Sequence, residues 1–166
     1  MATKRGRAWT FPANVSTDLI FPGRFVQFLS DNDKLRSITL IDAREEFAPN
    51  VRPGDFVVAD DNFGMGSSRE QAALMMRLCG LSAVVAKSFA RIFFRNCINV
   101  GVPAIELDTS RIADGDDLEI KLEQGKLINH SKNETYEFPP LPAVMTAILD
   151  DGGLVEHIKK HGDFVV

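Results

Sequence analysis

Apolar positions along this chain change period several times, and each change predicts an element. Phe56-Val57-Val58-Ala59 and Ala83-Val84-Val85-Ala86 are short unbroken apolar runs bounded by turn residues, the pattern of strands buried on both faces. Between them Ala72, Met75, Met76 and Cys79 recur at i, i+3, i+4 and i+7, one face of a helix. Gly80 stands where a left-handed C′ residue would end that helix. A strand–helix–strand unit of this length predicts parallel strands and a right-handed crossover. The unit then repeats. Ser88 is placed to cap a helix carrying Phe89, Phe93 and Cys97, Gly101-Val102-Pro103 ends it, and Ala104 to Leu107 reads as a third strand. The result is a βαβαβ core, and the fold class is α/β.

The flanks differ in character. Gly6 to Phe11 alternates weakly and predicts a short strand, followed by a loop holding Pro12, Asn14 and Ser16-Thr17-Asp18. Leu19 to Leu29 is apolar but interrupted by Pro22-Gly23, which excludes one continuous element. Three phenylalanines crowd Phe21 to Phe28, a density that suggests a cover, another chain being one candidate. After Asp114-Gly115-Asp116, Leu118, Ile120 and Leu122 alternate with charged residues. Gln124-Gly125 predicts a turn, and Leu127-Ile128 and Tyr136 to Phe138 predict further antiparallel strands. Pro142 to Leu149 and Leu154 to His161 read as two short helices separated by Asp151-Gly152-Gly153. No repeat or linker divides residues 1–166, so one domain is expected.

Composition narrows the function. The chain has 166 residues and a formal net charge of −4, which disfavours non-specific nucleic-acid binding. No apolar run approaches the roughly 20 residues that span a bilayer, so no membrane is expected. Met1 to Arg7 is basic without an apolar stretch behind it, which predicts a solvated terminus rather than a secretory signal. Cys79 and Cys97 have no metal-like spacing and read as two buried helix thiols in a soluble cytoplasmic chain. The three histidines, His130, His157 and His161, lie late in the chain in exposed-looking contexts and read as surface residues. No Ser–His–Asp pattern or metal-ligand set is visible.

Candidate chemistry concentrates in Asp61-Asn62-Phe63-Gly64-Met65-Gly66-Ser67-Ser68-Arg69-Glu70. Ser67 and Glu70 have the spacing of a capping box, so the loop is expected to open the following helix. One reading stops there. A nucleotide cradle fails, because Gly64-Met65-Gly66 lacks the third glycine of the dinucleotide fingerprint and the lysine of a phosphate-binding loop is missing. The remaining reading is an anion site: unpaired N–H groups at a helix start with Arg69 as a bidentate carboxylate clamp. A serine there would have its alkoxide favoured by the helix start and the guanidinium, the direction general-base work requires.

These residues carry a family resemblance. Val15-Ser16-Thr17-Asp18 with Pro22-Gly23-Arg24, then Asn62 to Glu70, then Ser88-Phe89-Ala90-Arg91-Ile92-Phe93 with Asn96 and Asn99, and Gly101-Val102-Pro103 hold order and spacing from about residue 6 to 107. The chain resembles the small subunit of isopropylmalate dehydratase and homoaconitase, which corresponds to the swivelling C-terminal domain of aconitase. The resemblance implies a single β/β/α swivel domain with antiparallel strands and short C-terminal helices added to the core. It also implies a hydro-lyase that moves a hydroxyl of a hydroxy acid between adjacent carbons by dehydration and rehydration. Ser67 would be the base; Ser68 and Arg69 would hold a substrate carboxylate, with Thr17 and Asp18 bordering the site. A [4Fe–4S] cluster would lie on a large subunit, with no cofactor on this chain, which should be inactive alone.

Substrate choice in the family is read just after Pro22. In the segment Arg24 to Phe28, the aligned residues Phe25-Val26-Gln27-Phe28 match neither the isopropylmalate nor the homoaconitase pattern. Gln27 in place of an arginine and an apolar Phe28 point away from a third carboxylate and toward an apolar substituent. Gln71 stands where a histidine is frequent. Isopropylmalate is the leading substrate. Homocitrate-, dimethylmalate- or citramalate-type substrates stay open, as does a non-catalytic carboxylate-binding module of the same fold.

Overall fold

The computed structural model describes residues 4–163. A seven-stranded sheet has the order β4-β3-β2-β1-β5-β6-β7. Its strands are β1 (Lys4–Phe11), β2 (Phe56–Ala59), β3 (Ala83–Ala86), β4 (Ala104–Glu106), β5 (Asp117–Lys121), β6 (Lys126–Asn129) and β7 (Glu134–Glu137). β1 to β4 run parallel, and β5 to β7 form an antiparallel meander. The helices are α1 (Thr17–Ile20), α2 (Asn32–Ser37), α3 (Phe47–Asn50), α4 (Glu70–Leu78), α5 (Arg91–Asn99), α6 (Ala143–Asp150) and α7 (Leu154–His161). A 3₁₀ segment spans Gly23–Phe28. Among the described residues no helix is long and apolar enough to cross a membrane.

The unbroken apolar runs of β2 and β3 are explained by burial on both sides. Val57, Ala59, Val84 and Ala86 face one cluster with Ala72, Met76, Phe93 and Cys97 of α4 and α5. Phe56, Val58, Ala83 and Val85 face a second cluster with Leu118, Ile120 and Leu127 of the meander. The meander therefore folds back over the parallel strands, which gives the β/β/α layering. α6 and α7 extend the helical layer beside α5.

Strand β1 joins the two half-sheets. Lys4 to Arg7 pair with β5, and Ala8 to Phe11 pair with β2. A Cβ at Gly6 would come within 2.3 Å of the Gly54 carbonyl, so the crossing tolerates only glycine there. Beside it Asp55, 5% exposed, accepts from Arg7 N (3.0 Å), Trp9 Nε1 (2.9 Å) and Arg52 N (2.9 Å). The Arg7 and Arg44 guanidinia both lie over the Trp9 ring, 4.1 and 4.8 Å from its centroid.

Several expectations are corrected. Lys4 to Arg7 are a paired strand rather than a solvated terminus: Arg5 pairs with Asp117, and Arg7 with Asp114. The rest of that expectation, for Met1 to Thr3, lies outside the described residues. The predicted caps do not form. The N-cap of α4 is Arg69 and that of α5 is Ala90, and neither makes a side-chain cap bond. Phe89 consequently precedes its helix. Residues 30–53, where the sequence pattern predicts nothing, hold α2 and α3. These helices of six and four residues are too short to establish a period, and Asp31 caps the first through Lys34 N.

His157 is the third correction. It is fully buried, because its ring is turned inward to Asp151 at 2.7 Å. His161 and His130 are exposed, as expected, the latter lying 2.6 Å from Glu119.

Replacing Asp55 with Ala should strand three donors at the β1 crossing and lower stability by about 3 kcal/mol or more. Urea denaturation of the full chain checks this, and a midpoint within error of the parent's would show that the carboxylate is dispensable.

Candidate active site

The parallel strands β1, β2 and β3 end at one edge of the sheet, and the loops leaving them meet there. Open α/β sheets place ligands at this carboxyl edge. The middle loop, residues 61–66, is laced to both neighbours by backbone hydrogen bonds. On one side Asn14 N donates to Asp61 O (2.8 Å), Gly64 N to Val15 O (2.7 Å) and Thr17 N to Met65 O (2.8 Å). On the other, Phe63 N donates to Ser88 O and Ala90 N to Phe63 O, both at 3.0 Å. The loops thus extend the ladder beyond the strands, as isolated bridges at Ser16–Met65 and Phe63–Phe89.

This path explains the glycines. Asn62, Gly64 and Gly66 have φ of 59°, 80° and 100°, a left-handed alternation that most side chains resist. A Cβ on Gly64 would also lie 2.2 Å from Phe93 Cγ. Ser88 spends its hydroxyl on this loop, accepting from Asn62 N at 2.8 Å, which is why it caps no helix.

The chain then presents Ser67, exposed, above α1. Thr17 Oγ1, buried, donates to the Ser67 carbonyl at 2.9 Å and lies 3.4 Å from Ser67 Oγ. Ser67 stands three residues ahead of α4, so the first turn of that helix does not act on its hydroxyl directly. The guanidinium of Arg69 is fixed from two sides. Nη2 pairs with Asp18 Oδ1 at 2.8 Å, and Nη1 donates to the Phe21 carbonyl at 2.9 Å. Gly23 lies beside the same group: a Cβ there would be 3.9 Å from both terminal nitrogens.

An open cleft of about 370 Å³ is lined by Ser67 and Arg69 on one wall and by Arg91, Ile92 and Asn96 of α5 on the other. Arg91 and Asn96 belong to the matched motifs but were assigned no role from sequence. The signal available was their place in the stretch Ser88 to Asn99. The geometry brings together Thr17, Asp18, Ser67 and Arg69. Ser68 is exposed next to them but does not line the cleft.

The segment Arg24 to Phe28 stands beside this cluster rather than inside the cleft. Arg24 forms a double contact with Asp42, 2.5 and 2.6 Å, and its guanidinium lies 4.6 Å from the Phe25 ring centroid. That pairing holds the Asp42 carboxyl below the usual carboxylate range. Phe25 packs with Phe21, Leu35, Ile38 and Met75, and Phe28 lies 6.4 Å from Phe25 with the Lys34 ammonium 5.3 Å from its ring. Val26, 56% exposed, and Gln27 point outward. Gln71 is half-buried on α4.

Neither thiol is available to a cluster or metal. Cys79 and Cys97 are buried, and burial pushes both above the ordinary thiol range.

Comparison with known proteins agrees with this architecture. Residues 32–110 match the family described as the aconitase C-terminal domain. The chain is 50% identical over 161 residues to 3-isopropylmalate dehydratase small subunit 2 of Archaeoglobus fulgidus, covering 97% of this chain and 98% of that one. It is likewise 50% identical over 161 residues to small subunit 1 of that enzyme from Thermotoga maritima, at 96% and 97% coverage. The crystal structure of 3-isopropylmalate dehydratase (leuD) from Methanocaldococcus jannaschii superposes with a TM-score of 0.92 at 42% identity, covering 97% of this chain and 96% of that one.

Gly64→Ala should destabilise the chain by about 2–4 kcal/mol, because it combines a left-handed backbone with a clash against a buried ring. Thermal unfolding of the variant measures it. An unchanged melting temperature would mean that the loop can take another path.

Proposed function

The chain belongs to the family of 3-isopropylmalate dehydratase small subunits, built on the aconitase C-terminal domain type, and on that premise we propose that it is half of a two-subunit hydro-lyase. The observation that carries this reading is the convergence of Thr17, Ser67 and Arg69 at one cleft, in a chain 50% identical to such subunits over almost its whole length. The reaction is the dehydration and rehydration of a hydroxy acid, with 3-isopropylmalate as product or substrate, a step of leucine biosynthesis.

In this mechanism Ser67 Oγ removes the proton alpha to a carboxylate. The C–H electron pair becomes the carbon–carbon double bond, and the hydroxyl leaves from the neighbouring carbon. A [4Fe–4S] cluster, if carried by a large subunit, would supply Lewis acidity for the hydroxyl's departure; this chain's buried thiols are unsuited to hold one. Thr17 holds the backbone of Ser67 in place through its carbonyl. The Arg69 and Arg91 guanidinia on the cleft walls favour the serine alkoxide. Arg69, already aligned by Asp18 and the Phe21 carbonyl, still has N–H groups to offer a substrate carboxylate, with the exposed Ser68 hydroxyl beside it.

The neighbouring segment supports an apolar substituent over a third carboxylate. Arg24 is committed to Asp42, and Phe25, Val26 and Phe28 present apolar surface with the neutral Gln27. Val26, Leu29 and Ile92 are 56%, 40% and 50% exposed around the open half-site, apolar surface that a large subunit would cover.

The test is co-expression with the native large subunit and assay of isopropylmalate isomerisation beside homocitrate, citramalate and dimethylmalate. Isopropylmalate should be turned over best, and neither subunit should act alone. In the reconstituted enzyme Ser67→Ala should lower kcat by about 10²–10⁴-fold with KM nearly unchanged. Retained turnover would remove Ser67 as the base. Arg69→Lys should raise KM by about tenfold or more, since an ammonium cannot reproduce the planar fork. An unchanged KM would place the carboxylate clamp elsewhere.

A further inference from the structure

At the far end of α5 from the cleft, the turn between α6 and α7 gathers three metal-competent side chains. Asp151 is the C-cap of α6, and His157 and His161 stand one turn apart on the same face of α7. Their donor atoms all lie within 4.8 Å of one another. His157 Nδ1 is 2.7 Å and His161 Nε2 2.9 Å from the same carboxylate oxygen, Asp151 Oδ2. The imidazole centroids are 4.7 Å apart.

We propose that Asp151, His157 and His161 bind one divalent transition-metal ion of the zinc class. Two imidazole nitrogens and one carboxylate oxygen form the three-ligand set that leaves a fourth position open to water. Imidazole donors select zinc, nickel, cobalt or copper over magnesium and calcium. Burial prepares the site. His157 is fully buried, and its Nε2 is sealed in the interior with no hydrogen-bond partner among the described residues, so Nδ1 is the nitrogen that faces the cluster. His161 is partly exposed and provides the entry. The Lys160 ammonium, 2.6 Å from Asp151, occupies the carboxylate's other oxygen and leaves Oδ2 to the ion.

The fit needs a small adjustment. Bonds of about 2.0–2.1 Å in a tetrahedron place ligand atoms about 3.3 Å apart, so the present contacts must open by roughly half an ångström. Rotation of His161 about its exposed side chain and a slight turn of Asp151 supply this. The affinity has a ceiling. With Nδ1 on the metal, Nε2 carries a proton for which the described residues offer no acceptor, and missing support of this kind weakens sites by about 10–100-fold. Lys160 adds a nearby positive charge. A dissociation constant on the order of micromolar is expected. The bound ion would clip α7 to the end of α6.

Isothermal titration of the untagged full chain with zinc chloride alone tests this. One equivalent should bind, and excess zinc should raise the melting temperature by several degrees. His161→Ala alters an exposed residue, so the fold should persist while affinity falls at least tenfold and the thermal gain disappears. His130→Ala, on the meander, should leave both unchanged. Absence of saturable binding, equal affinity in His161→Ala, or loss of binding in His130→Ala would each overturn the assignment.

Discussion

The structure depends on the way β1 passes from one half-sheet to the other. A single strand pairs antiparallel at its start and parallel at its end, so its backbone must run close to the Gly54 turn at the point of exchange. Gly6 makes that approach possible, and the buried Asp55 carboxylate holds it by joining Arg7, Trp9 and Arg52. The full set of hydrogen bonds matters because a buried carboxylate is tolerable only when its lone pairs are engaged. From this crossing follow both layers: the meander that covers the second face of β2 and β3, and the alignment of strand ends from which the site loops emerge.

The cleft inherits its order from those strand ends. Its loops are tied by main-chain hydrogen bonds, and side chains then add particular functions to a settled path. Thr17 reads the Ser67 carbonyl, while Arg69 joins the serine loop to the Phe21–Phe28 segment through the Phe21 carbonyl. One guanidinium therefore connects the residue proposed for proton transfer with the residues proposed for substrate choice. Changes in the Phe25–Phe28 segment have a direct route to Arg69 through the Phe21 carbonyl.

The regular parts of the fold were legible because burial leaves a period. The runs at 56–59 and 83–86, the helical face from Ala72 to Cys79 and the alternation through Leu118 and Ile120 each record which sides of an element meet a core. The short helices between residues 30 and 53 leave no such record. Ser67 and Ser88 misled in a different way. Local spacing offers them as caps, but tertiary hydrogen bonding in the loops uses Ser88, and the backbone after Ser67 turns again before α4 begins. At the site, the motif residues carried the family resemblance, while the engagement of Arg69 by Asp18 and of Arg24 by Asp42 required the third dimension. His157 shows the same limit, since nothing in its neighbours along the chain marks a ring turned inward.

The backbone lacing of the 61–66 loop has a kinetic consequence. A half-site ordered by its own main chain meets its partner already shaped, so association does not have to fold the loop. The free energy of docking is then drawn down by lost rigid-body freedom and by a few exposed side chains, rather than by chain ordering. On this chain's side, encounter needs no folding of the loop, which leaves orientation and charge to govern the association rate. The exposed Ser67 is thus already placed before any partner arrives.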